Sequence, residues 1–82
     1  MLTVLTLEDE IEINDFYQIL LKEFEYSVLS AGTYDEALEI AKKNHIDIAL
    51  IDHKLALTKS KKDGLETIHD LKEIQPQMKV IM

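Results

Sequence analysis

The sequence predicts an α/β fold built on a parallel sheet, and three observations lead there. Short apolar, β-branched runs recur at Leu2–Leu7, Tyr26–Ala31, Ile46–Ile51 and Lys79–Met82. Between them lie segments whose apolar residues repeat with the helical period rather than the strand period. The resulting order is βαβαβαβ, and strands separated by helices run parallel with right-handed crossovers.

The first strand, LTVLTL, stops abruptly at Glu8-Asp9-Glu10. In the segment that follows, Ile13, Phe16, Tyr17, Leu20, Leu21 and Phe24 form one helical stripe, with Asp15, Lys22 and Glu23 off it. YSVLSA (Tyr26–Ala31) is the second strand. Thr33-Tyr34-Asp35-Glu36 then has the form of a capping box. Ala37, Leu38, Ile40 and Ala41 supply that helix's inner face, and Lys42 and Lys43 suit the negative end of its dipole. IDIALI (Ile46–Ile51) has the most buried strand pattern and ends at Asp52. After a lysine-rich loop, Asp63-Gly64 opens a third helix with Leu65, Ile68, Leu71 and Ile74 facing inward. Pro76 stops it, and KVIM (Lys79–Met82) begins the fourth strand.

Composition narrows the function. The chain has 82 residues, 46% of them hydrophobic, which fits one small globular domain. It has no cysteine, so no disulfide framework is available, and a cytoplasmic location is expected. No apolar run is long enough to span a membrane, and no signal peptide is visible. The net charge of −7 argues against direct nucleic-acid binding. The charge is also sorted. Glu8, Asp9, Glu10, Glu12 and Asp15 cluster near the first strand's end, and Lys54, Lys59, Lys61 and Lys62 occupy the loop after Asp52.

In an open parallel sheet, ligands bind outside the carboxyl ends of the strands. Glu8, Asp9 and Asp52 all sit at such ends. If the first and third strands are neighbours, these carboxylates converge and require a cation or a raised pKa. Hard oxygen ligands of this kind suit Mg²⁺. Taken singly, Asp9 reads first as a helix N-cap or first-turn residue, and it is the joint placement of the three acids that points to a site.

The motifs resemble those of response-regulator receiver domains. VLTLEDE (Val4–Glu10) is similar to the strand carrying their acidic pair. IDIALID (Ile46–Asp52) is similar to the strand carrying their phosphoacceptor, and Asp63-Gly64-Leu65-Glu66 to the opening of their third helix. Ala31 and Glu36-Ala37-Leu38 also match. Residues 1–82 are on this basis identified as the N-terminal two-thirds of a receiver domain. The resemblance implies a flavodoxin-like, three-layer fold with strand order 2-1-3-4-5, incomplete here and lacking the fifth strand and C-terminal helices. It implies a signalling module of a two-component phosphorelay, not an enzyme. Asp52 would accept a phosphoryl group from a sensor histidine kinase or a phosphotransfer protein. Mg²⁺ would be held by Asp9, Asp52, the backbone carbonyl of Lys54, and Glu8 directly or through water. The family's catalytic hydroxyl and lysine would fall beyond Met82.

Two features depart from the family pattern. Glu8 replaces the more usual aspartate, and the loop after Asp52 (HKLALTKSKKD) is longer and lacks Met-Pro near Leu55 and Ala56. These features suit an alternative, a pseudo-receiver that binds proteins without being phosphorylated. A Mg²⁺-dependent phosphohydrolase with an aspartyl nucleophile is a further rival. It usually carries a second acid two residues on, where this chain has Lys54. His53, His45 and His69 show no metal-ligand spacing and read as packing or surface residues. An unpaired fourth strand and an uncovered sheet face lead us to expect a homo-oligomer of the chain.

Overall fold

The computed structural model describes residues 1–51 and 64–81, with residues 64–67 described by their backbone alone. The observed order is β1 (Thr3–Leu7), α1 (Ile11–Glu23), β2 (Ser27–Ala31), α2 (Tyr34–Lys43), β3 (Ile48–Ile51), α3 (Gly64–Ile74) and β4 (Lys79–Ile81). All pairings are parallel and the strand order is β2-β1-β3-β4. This is the flavodoxin-like α/β arrangement expected, through its fourth strand. Lys54–Lys62, Asp63 and Met82 lie outside the described residues, as does the side chain of Leu65.

Strand alternation divides the sheet into two unlike faces. Leu5, Leu7, Ala31, Ala49 and Ile51 join Ala37 and Ala41 of α2 and Leu71 of α3 in one buried cluster. Alanine on both the helix and the sheet lets α2 approach closely, as the small residues of its inner face predict. Ile46 and Met78 close the cluster at the amino end of β3 and β4. Ile68 and Ile74 pack against it from α3, as their helical spacing predicts.

The other face carries α1. Of the six residues in the expected apolar stripe only Tyr17 and Leu21 are half-buried, while Ile13, Phe16, Leu20 and Phe24 are exposed, so the face that meets the sheet is rotated from the stripe. Asn14 is its buried residue, while Tyr17, Gln18 and Leu21 are half-buried. Phe16 is 59% exposed and Phe24 66%. The reason lies in β1 and β2, which point the hydroxyls of Thr6 and Ser30 towards α1. Polar Asn14 and Gln18 answer those hydroxyls, so the helix turns part of its apolar stripe outward.

Helix ends follow their local chemistry. The Thr33 hydroxyl accepts from the Glu36 N–H at 3.2 Å, as the capping box requires. The Glu36 carboxylate meets the Thr33 hydroxyl at 3.4 Å. At the end of α1, Tyr26 N–H donates to Leu21 O and Glu25 N–H to Lys22 O, the double bond of a Schellman ending. The residue in the left-handed position there is Glu25, at φ 63°.

The ladder around β3 begins one residue before the strand. Asp47 N–H donates to Thr3 O, and Lys79 N–H donates to Asp47 O. The Asp47 carboxylate also accepts the Thr3 N–H at 2.8 Å. That backbone donor, helped by His45, holds the carboxyl below its ordinary pKa against partial desolvation. Gln75, just past α3, ties three elements together. Its Nε2 donates to Ala41 O at 2.8 Å and Asn44 O at 2.6 Å, and its Oε1 accepts from Ile46 N–H at 3.2 Å.

Candidate functional site

The acidic pair follows β1 directly. Glu8 N–H donates to Ala31 O at 3.1 Å, continuing the β1–β2 ladder one residue past the strand. Glu8 is only 5% exposed, and its Oε1 accepts the Glu10 N–H at 3.2 Å. Asp9 is exposed. The N-cap of α1 is Glu10, in extended conformation. Asp9 therefore does not serve as the helix cap that its position also allowed.

On the neighbouring strand, Ile51 is in register with Leu7. The last described residue of β3 thus lies beside the residue that precedes Glu8. Asp52 and Lys54 come next in the chain and lie outside the described residues, as does His53. The structure therefore establishes that β1 and β3 are neighbours and that their carboxyl ends are level. Among the described residues no group of three or more His, Cys, Asp or Glu side chains gathers to hold a metal. Glu8 and Asp9 offer only hard oxygens, the donor type Mg²⁺ takes, one or two carboxylates at a time. His45 contacts Asp47 at 2.9 Å and His69 contacts Glu73 at 3.0 Å, each away from the pair.

Beneath the pair runs a hydrogen-bonded array that the helical stripe did not reveal. Asn14, 7% exposed, donates from Nδ2 to both Glu8 O and Ala31 O, each at 3.2 Å. Its Oδ1 accepts from the Thr6 hydroxyl. Thr6 Oγ1 and Ser30 Oγ are 3.1 Å apart, and Gln18 Nε2 donates to Ser30 Oγ at 2.7 Å. Two hydroxyls in register on one sheet face, Thr6 beside Ser30, were the available signal, since buried polar groups need partners. An open groove of about 380 Å³ adjoins the pair on the β2 side, with Asp15, Thr33 and Glu36 on its walls.

With this geometry in view, comparison with known proteins decides the family. The sequence model of the response regulator receiver domain matches residues 4–82. The chain belongs to that family. Solved receiver structures agree with the fold. The chemotaxis protein CheY4 of Vibrio cholerae superposes with a TM-score of 0.82 at 23% identity, covering 98% of this chain and 65% of that one. A response regulator receiver domain protein from Clostridium thermocellum gives 0.81 at 28% identity, with 98% and 62% covered. The response regulator protein TrrA of Thermotoga maritima, in complex with Mg²⁺-BeF, gives 0.80 at 23% identity, with 100% and 68% covered. This receiver chain thus spans about two-thirds of the length of these relatives. A search of curated proteins finds no match. No helix among the described residues is long and apolar enough to cross a membrane.

Proposed function

We propose that this receiver chain accepts a phosphoryl group on Asp52 from a sensor histidine kinase or a phosphotransfer protein. It would do so as the N-terminal two-thirds of a cytoplasmic signalling domain, without being an enzyme in its own right. The observation that carries the reading is the register of Leu7 with Ile51. It makes the Glu8-Asp9 pair and the residue after Ile51 follow level ends of adjacent strands. In the transfer, a carboxylate oxygen of Asp52 attacks phosphorus in line as the bond to the donor's imidazole nitrogen breaks. Asp9, Asp52 and the Lys54 carbonyl would hold Mg²⁺, with Glu8 bound directly or through water. Bound there, Mg²⁺ supplies charge neutralisation at the equatorial phosphoryl oxygens. The Mg²⁺-BeF complex of the Thermotoga maritima relative supports this cofactor.

The test is treatment of the protein with a small phosphodonor and Mg²⁺, followed by mass mapping of the adduct. Phosphorylation that survives Asp52→Asn unchanged refutes the assignment. The pseudo-receiver alternative is favoured by Glu8, whose carboxylate is engaged by the Glu10 N–H. A Mg²⁺ titration separates the two readings, because an interaction module need not bind metal beside Asp9. We further propose that the chain self-associates through the exposed apolar residues of α1 and its end, among them Phe16 and Phe24. Light scattering that shows a monomer overturns this.

A further inference from the structure

We infer that Asn14 is a positioning residue that fixes the direction in which the acidic pair leaves β1. The inference rests on the Mg²⁺-dependent reading above and adds a component to it. The argument begins with the amide. Its Nδ2 faces two backbone carbonyls, Glu8 O and Ala31 O. Two acceptors demand the NH₂ group, so Oδ1 must face Thr6. A carbonyl oxygen accepts only, so the Thr6 hydroxyl donates its single proton to it. The Ser30 hydroxyl, 3.1 Å from Thr6 Oγ1, then donates to Thr6, and Gln18 Nε2 donates to Ser30. Every donor in the row points the same way, from Gln18 towards the backbone at Glu8.

The consequence lies in the peptide planes. Glu8 C=O and Asp9 N–H belong to one rigid plane. Asn14 grips the carbonyl end of that plane, while Ala31 O grips the preceding one through the Glu8 N–H. Two consecutive peptides are therefore pinned, and the Cα of Asp9 starts from a fixed direction. The Asp9 side chain has no hydrogen bond among the described residues and is exposed. Among the described residues, its backbone is thus what aims it. A buried amide in the first turns of α1 sets the geometry of a carboxylate five residues earlier without touching it.

The experiment is a titration of the protein with Mg²⁺ alone, followed by the ¹⁵N–¹H amide shifts of Glu8, Asp9 and Glu10. Asn14→Ala removes the grip, and Asn14→Leu removes it while nearly keeping the volume, should the alanine variant not fold. Gln75→Ala is the control, since it loosens the opposite end of the sheet. The dissociation constant for Mg²⁺ is expected to rise about tenfold in either Asn14 variant, the lower range for loss of a group that orients a metal ligand. It should stay at the parent value in Gln75→Ala. A folded Asn14 variant that binds Mg²⁺ like the parent overturns the inference while leaving the phosphoacceptor reading intact. So does an equal rise in Gln75→Ala, which would reduce the effect to general loss of stability. A parent protein that binds no Mg²⁺ sinks the metal reading and the inference with it.

Discussion

Replacing Gln75 by alanine should destabilise the protein by about 1–3 kcal/mol. The figure comes from the three side-chain hydrogen bonds that this residue makes. Each neutral bond contributes a net ~0.5–1.5 kcal/mol. The contact with Asn44 O is exposed, so water replaces it and little is lost there. The contacts with Ala41 O and Ile46 N–H are partly buried, and their loss strands one acceptor and one donor. A small domain of this length has a total stability of roughly 4–12 kcal/mol, so the loss is a large fraction. Urea denaturation reads it directly, as a midpoint lowered by about 1–3 M for a slope near 1 kcal/mol/M. Gln75→Glu gives a second reading. Its carboxylate would face the Ala41 and Asn44 carbonyls in place of the NH₂ group, so its folded pKa would be raised. The variant should therefore gain stability relative to Gln75→Ala as pH falls into the acidic range. If Gln75→Ala lies within about 0.5 kcal/mol of the parent, the range of a neutral surface change, the knot at the end of α3 carries no weight and the reasoning fails.

Glu25 occupies the left-handed position of the α1 ending, where a side chain is strained and glycine is not. Glu25→Gly should raise stability by about 0.5–1 kcal/mol, while the β-branched Glu25→Val should lower it, both measured by thermal and urea unfolding. Asp47 has a depressed folded pKa, so its contribution is present above the unfolded value of 3.8 and lost as pH falls through the folded one. Asp47→Ala should accordingly flatten the acid limb of the stability–pH curve, and an unchanged limb would show that the Thr3 N–H contact has no effect.

Most of the fold was legible because its signals are local and repeated. Alternation of period gave the element order, and Thr33 with Glu36 marked the start of α2. Leu71, Ala37 and Ala41 were found in the core by spacing alone. The exposure of Phe16 and Phe24 was not legible, because helical period reports that a stripe exists and not which part of it is covered. The site was half legible. Glu8 and Asp9 could be located by the strand that ends beside them, and the adjacency of β1 and β3 follows from the family's strand order, but their register is visible only in the structure. Asn14 escaped because asparagine inside an apolar helix reads as a flaw in the pattern. Only the pairing of Thr6 with Ser30 across β1 and β2 makes it a requirement.

That pairing also explains why the two sheet faces are built differently. On the α2–α3 face, Leu5, Leu7 and Ile51 bury apolar surface, which stabilises without direction. Such packing holds a layer in place but leaves the peptide planes at strand ends free to turn. On the α1 face, Thr6, Ser30, Asn14 and Gln18 occupy positions where aliphatic residues would have packed. Hydrogen bonds stabilise less per buried group than a dry contact, yet they fix angle as well as distance. An array that ends on Glu8 O and Ala31 O spends its directionality where β1 stops and the acidic pair begins. Replacing the whole row with aliphatic residues would remove the side-chain donor from the Glu8 and Ala31 carbonyls, which costs stability, and would free the plane between Glu8 and Asp9. In this receiver the hydrogen-bonded row therefore adds orientation to the α1 face, where Val4, 1% exposed and on Thr6's side of β1, supplies apolar burial of its own.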